Sequence, residues 1–178
     1  MILGLGMDGK GYVIEDLSGK HGPRGWAKIV QDAFHNHGAD QIIAEANYGG
    51  AMVEEVIQTH DRSLPVKLVN ASRGKHVRAE PIASLYDNGK VKHLGYFPEL
   101  EEQMQLMTGS GYSGLYSPDR LDAMVWGFHG IFPGLTRKEG GEFLRTGQRT
   151  QVNHQERNMA KLMGGNSQRR SPQTKSNY

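Results

Sequence analysis

The feature that most constrains this chain is the alternation of short apolar runs with stretches of helical periodicity, which repeats as far as about residue 131 and admits few architectures. Residues 2–6 and 12–15 read as two strands joined at Asp8-Gly9, a dipeptide that tolerates positive φ and favours a hairpin. Between residues 23 and 37, Trp26, Ile29, Val30, Ala33, Phe34 and His37 recur at helical spacing, and Gly38 follows as a stop signal. The same reading predicts strands at 41–44, 65–71 and 91–94. It predicts helices at 51–60, at 74–86 with Pro81 starting or kinking the segment, and at 98–107. Residues 109–114 read as a flexible glycine-rich loop, and a helix begins after Ser117, a good N-cap, with Pro118 in the first helical position. Strands alternating with helices imply an α/β fold with a largely parallel sheet and helices against its faces.

A chain of 178 residues with 37% apolar content holds one ordinary domain with a real core. It has no cysteine, so disulfides and thiolate metal sites are excluded, and any metal must take oxygen or histidine ligands. The apolar start is too short for a membrane span and lacks the basic flank of a signal peptide, so a cytosolic protein with no membrane partner is expected. Charge is unevenly spread: residues 1–136 carry 12 Lys/Arg against 16 Asp/Glu, and residues 137–178 carry 9 against 3. The second segment is also poor in apolar residues and rich in Gly, Gln, Asn, Ser and Arg. It is expected to be a basic, mostly disordered tail suited to a polyanion, following a domain of residues 1–136.

The residues most suggestive of chemistry lie in Ala44-Glu45-Ala46-Asn47-Tyr48-Gly49-Gly50, where one carboxylate ends an apolar strand and a glycine-rich turn follows. A strand's C-terminal edge faces the crevice in which α/β folds collect ligands. A second acidic pair, Asp119 and Asp122, lies on neighbouring positions of one helical face. Taken alone, that pair is explained first as a complement to the helix dipole. Lys75 and Arg78 follow a strand end and a glycine, where they could contact phosphates or simply form a solvated basic pair. Other motifs carry less. Gly4, Gly6 and Gly9 fit a dinucleotide fingerprint but lead into a strand, and His35-Asn36-His37 reads as surface polarity at a helix end. Trp26 and Trp126 read as core, and His93 as packing or polar rim.

Taken in order, Gly11-Tyr12-Val13-Ile14-Glu15-Asp16, Trp26-Ala27, Ala44 to Gly50, Ala71-Ser72-Arg73-Gly74-Lys75, Arg78-Ala79-Glu80-Pro81, Leu85-Tyr86, His93-Leu94-Gly95 and Asp119-Arg120-Leu121-Asp122-Ala123 resemble a known family. It is the ribonuclease-H-like nuclease domain of the large terminase subunit of tailed bacteriophages, matched over about residues 1–130. The resemblance implies a ribonuclease-H-like mixed sheet flanked by helices. It also implies a two-metal site for Mg²⁺ or Mn²⁺ with Glu45, Asp119 and Asp122 as metal-binding and catalytic acids, and Lys75 and Arg78 as DNA contacts. Two-metal phosphodiester cleavage groups carboxylates around ions about 3.5–4 Å apart. The implied function is endonuclease cleavage of concatemeric double-stranded DNA during phage packaging. The implied partners are the terminase ATPase domain, the portal and the small terminase subunit, in the host cytoplasm at the procapsid. The family's first strand and its aspartate have no counterpart here, since residues 1–6 match the second strand; Asp8 belongs in a turn and Asp16 ends the next strand. The sequence therefore reads as the C-terminal part of a terminase separated from the rest by a truncated, split or interrupted gene. Two ladder edges are then left open in mid-sheet. The alternative is a catalytically silent DNA-binding or assembly fragment. A junction resolvase or integrase is disfavoured by the strings at 45–50 and 75–81.

Overall fold

The structure is a computed structural model that describes residues 1–46, 50–59 and 61–136. The chain divides into two units, Met1–Lys138 and Glu139–Tyr178. The expected tail at 137–178 and the turn at Asn47–Gly49 lie outside the described residues.

The first unit is an α/β domain. Its hairpin pairs β1 (Ile2–Leu5) antiparallel with β2 (Gly11–Glu15) around the Asp8-Gly9 turn, where Gly9 takes φ 73°. Asp8 fastens this turn by accepting the Lys10 amide at 3.1 Å and the Tyr12 hydroxyl at 2.9 Å. Helix α1 (Pro23–His37) follows and ends at Gly38, whose left-handed backbone (φ 57°) turns its amide back to the carbonyls of Phe34 and His35. Next come β3 (Ile42–Glu45), α2 (Gly50–Ile57) and β4 (Val66–Val69), with β3 and β4 paired in parallel from Ile42↔Val66 to Glu45↔Val69. Helix α3 (Lys75–Asp87) runs through Pro81 and leads to β5 (Val91–His93), which lies parallel to β2. Helix α4 (Pro98–Gln105) and helix α5 (Asp119–Ile131) complete the domain, and a 3-10 turn at Pro133–Thr136 closes it.

Two expectations are corrected. Residues 109–114 are not simply a loop, because β6 (Met107–Thr108) and β7 (Gly111–Tyr112) form a short antiparallel ladder. The Thr108 hydroxyl donates to the Gly111 carbonyl at 2.9 Å and fixes the turn. Helix α5 starts at Asp119 with Pro118 in the cap position, and no side chain caps it. The Ser117 hydroxyl accepts the Lys75 ammonium at 2.8 Å instead, so the expected cap is spent on a contact between segments.

The pairings give a mixed arrangement, with β1-β2-β5 on one side and β3-β4 on the other. Among the described residues β1 and β5 are the outer strands of the first ladder, and β3 and β4 pair only with each other. The main core lies under the three-stranded side, where Val13, Ile82, Val91, Leu100, Met124, Val125 and Phe128 are buried together. Next to it the Tyr86 hydroxyl and His93 Nε2 share a hydrogen bond of 2.6 Å, and His93 Nδ1 meets Glu101 Oε1 at 3.2 Å. Burial, and to a lesser degree Glu101, pushes the Tyr86 phenol above its ordinary value. Tyr86 should therefore ionise later than an ordinary phenol. Its contribution to stability is intact below about pH 10, the unfolded value, and is lost as pH rises from there toward the folded one. A spectroscopic pH titration should lose this late component in Tyr86→Phe; loss of an ordinary phenol instead would contradict the assignment.

Helix α5 packs against both β1 and β3. It does so through two glycines: a Cβ at Gly127 would overlap Leu3 Cδ1, and one at Gly130 would overlap Ile43 Cδ1. Both obstructing atoms are side-chain tips, so alanine at either position should change stability by less than about 1 kcal/mol, its better helix propensity offsetting the displacement. The double change Gly127→Val/Gly130→Val should cost about 1–3 kcal/mol, measured by urea unfolding.

Candidate active site

Glu45 stands at the C-terminal end of β3, where the parallel β3–β4 ladder carries it to the edge of the domain. Asp119 and Asp122 come from the first turn of α5, which is also electrostatically favourable for acids. Glu45, Asp119 and Asp122 all line one cavity of about 1010 Å³, together with Lys75 and Trp126. All three acids therefore border the same cavity, Glu45 from a strand end and the two aspartates from a helix start.

The three acids are held differently. Asp119 is open to solvent, with its side chain 83% exposed and Lys75 Nζ 3.8 Å from Oδ1. Asp122 is buried, with a side chain only 9% exposed. Its Oδ1 accepts Arg78 at 2.6 Å, and Lys75 Nζ lies 3.4 Å from its Oδ2. Glu45 is half-buried and accepts the indole N–H of Trp126 at 3.2 Å.

Arg78 is drawn inward. Its side chain is 8% exposed, its guanidinium reaches the Arg73 carbonyl at 2.5 Å as well as Asp122, and its charge sits 4.8 Å from the Trp126 ring centre. Arg78 therefore spends its guanidinium on the protein's interior, and of the two expected phosphate contacts Lys75 is the one that lines the cavity. Lys75 is 39% exposed and tethered by Ser117. On the other side of the Arg78 backbone, His129 donates Nε2–H to the Arg78 carbonyl at 3.0 Å.

Trp126 is the residue that sequence reasoning missed. It lies at helical spacing among apolar neighbours and so reads as core, yet it is half-buried, lines the cavity and joins Glu45 to Arg78 through its N–H and its ring face. Its spacing from Asp122, one turn along α5, was the available signal. Trp26 lines the same cavity. Asp16, at the end of the second strand, is turned toward Arg120 at 3.4 Å and accepts the Ser18 amide at 2.9 Å.

In donor chemistry these carboxylates suit a hard, oxygen-seeking cation. In number they fall short, because Asp122 is committed to Arg78 and, among the described residues, no group of three or more His, Cys, Asp or Glu side chains is gathered to hold an ion. No helix among the described residues is long and apolar enough to cross a membrane. A family model described as the terminase RNaseH-like domain matches residues 4–130. Comparison with curated proteins gives no match.

Proposed function

From the premise that this chain belongs to the terminase RNaseH-like domain family, we propose that it is the endonuclease part of a phage DNA-packaging terminase, dependent on Mg²⁺ or Mn²⁺ and cutting concatemeric double-stranded DNA. The observation that carries this reading is the convergence of Glu45 with Asp119 on one cavity, from strand end and helix start. Divalent ions bound there would supply an activated water and charge stabilisation at the leaving oxygen.

The roles of the chain's own residues follow from how each is held. Glu45 and Asp119 are the proposed metal ligands, Glu45 oriented by Trp126 and Asp119 presented to solvent. Asp122, a ligand by resemblance, is assigned here to holding Arg78, and the pair fixes the start of α5. Lys75 is the proposed phosphate contact, and the basic segment 137–178 adds affinity for DNA that is independent of sequence. The partners remain those of the packaging assembly: double-stranded DNA, the ATPase domain, the portal and the small subunit, in the host cytoplasm.

A second reading, a DNA-binding or assembly fragment without catalysis, is favoured by the shortfall of ligands among the described residues. Plasmid cleavage with Mg²⁺ or Mn²⁺ separates the two. The nuclease reading expects chelator-sensitive nicking that Glu45→Gln and Asp119→Asn abolish. DNA binding with no cleavage would leave the second reading standing.

A further inference from the structure

Two cations serve the acids, and they are held in opposite ways. Arg78 is fixed: its side chain is 8% exposed, and its guanidinium meets Asp122 at 2.6 Å, the Arg73 carbonyl and the face of Trp126. Lys75 is held loosely. Its side chain is 39% exposed, and its ammonium stands 3.4 Å from Asp122 Oδ2 and 3.8 Å from Asp119 Oδ1. Both distances exceed the roughly 2.7–2.9 Å of a charge-assisted hydrogen bond, so the carboxylates hold Lys75 by charge rather than by a directed bond. The short contact is with a neutral group, the Ser117 hydroxyl at 2.8 Å.

The position of Lys75 follows from two helix starts. Lys75 opens α3, and Ser117 lies just before α5, so the contact between them sets the ammonium beside the first turn that presents Asp119. Arg120, the neighbouring cation on α5, is turned away to Asp16 at 3.4 Å. An ammonium on a flexible four-carbon stem is a compact, mobile point charge, and a solvent-exposed ion pair of this kind is weakly bound. Lys75 can therefore leave the aspartates at little cost, whereas withdrawing Arg78 would strand a buried carboxylate.

The balance of charge shows what that freedom is for. Glu45, Asp119 and Asp122 bring three negative charges, and Arg78 and Lys75 bring two positive ones. With Lys75 in place the group is one negative charge short of neutral. With Lys75 withdrawn it is two short, which a single divalent ion balances. A divalent ion and an ammonium drawn to the same Asp119 carboxylate also repel each other, so the entry of one favours the departure of the other.

We propose that Lys75 is an exchangeable counter-ion, which neutralises Asp119 and Asp122 while no divalent cation is bound and moves to a DNA phosphate when that cation enters. Cation and DNA then bind cooperatively, because each removes the ammonium from the place or the partner that the other needs filled. The proposal rests on the nuclease reading, since it takes Asp119 as a metal ligand, and it adds to it a means by which the acids stay quenched until DNA is present.

The test is Mn²⁺ binding to the full chain, followed by paramagnetic resonance, in the parent, Lys75→Met and Ser117→Ala, with and without a short DNA duplex whose integrity is checked after each point. Without DNA, Lys75→Met should bind Mn²⁺ at least about threefold more tightly than the parent, and by a margin that shrinks as salt is added. Ser117→Ala, which keeps the charge and loses its tether, should shift in the same direction by less. In the parent the duplex should tighten Mn²⁺ binding, and Mn²⁺ should tighten duplex binding by the same factor; in Lys75→Met that factor should fall by about threefold or more. Mn²⁺ affinity in Lys75→Met that is unchanged or weaker, or a coupling factor that survives the substitution, would overturn the proposal and leave the nuclease reading intact. Absence of Mn²⁺ binding that depends on Glu45 and Asp119, in the parent and in Lys75→Met alike, would overturn both.

Discussion

Replacing Arg78 with alanine should destabilise the domain by about 3–5 kcal/mol, because it leaves a buried carboxylate without its main partner. Arg78 and Asp122 are each more than nine-tenths buried and meet at 2.6 Å, so neither charge is well solvated when the other is removed. Two features set where in that range each variant falls. In Arg78→Ala, Lys75 at 3.4 Å still faces Asp122 and softens the loss. In Asp122→Ala, the guanidinium keeps the Arg73 carbonyl and the face of Trp126, the latter contributing about 0.5–2 kcal/mol. Removing both charges together, as Arg78→Met/Asp122→Leu, should cost far less than either single change, since the desolvation of two ions disappears along with their attraction. Urea unfolding would measure this through the midpoint at unchanged slope. A loss under about 1 kcal/mol for Arg78→Ala would show that solvent reaches the pair, and the structural role assigned to Asp122 would fall with it.

The second large effect separates the two aspartates that the sequence leaves equivalent. Asp119→Asn should leave stability within about 0.5 kcal/mol, as expected for an exposed side chain. It should nevertheless weaken Mn²⁺ binding at least as much as the loss of a supporting hydrogen bond does, about 10–100-fold. Glu45→Gln should do the same. Trp126→Phe removes the N–H that orients Glu45 and should weaken binding by about tenfold, through the ligand it holds. Asp122→Asn should give the opposite profile, with a stability loss and near-normal affinity in the folded fraction. Calorimetric or paramagnetic titration of Mn²⁺ into the four variants reads this out. Equal affinity across Glu45→Gln, Asp119→Asn and the parent chain would remove both acids from the site.

Much of the fold is legible along the chain because its signals are local. Asp8-Gly9 marks the hairpin and Gly38 stops α1, each through a backbone conformation that its own residue type permits. The alternation of strands and helices, and the resemblance carried by the strings from Gly11 to Ala123, lead to the family that the match over residues 4–130 shows. What was not legible depends on contacts between distant segments. Ser117 looks like a cap until Lys75 takes its oxygen, from 42 residues away. Arg78 looks like a solvated base until α5 brings Asp122 against it. Trp126 satisfies the apolar periodicity of its helix so well that only its place one turn from Asp122 hints at an N–H that partners a carboxylate 81 residues earlier. The ladder of β6 and β7 is only two residues long, too short for alternation to register.

The two glycines of α5 have a mechanical meaning as well. Glu45 is carried by the β3–β4 pair, Asp119 by α5, and β1 by the hairpin it forms with β2, while Leu3 and Ile43 each bear on the helix with no Cβ in between. The helix thus serves as an axle shared by two plates. Turning the β3–β4 plate on that axle changes the reach from Glu45 to Asp119 without altering any bond within either plate, so the spacing of the acids becomes a gauge of how the plates are set. A substitution at Gly130 should therefore be felt at Glu45, through Ile43, although it touches neither acid.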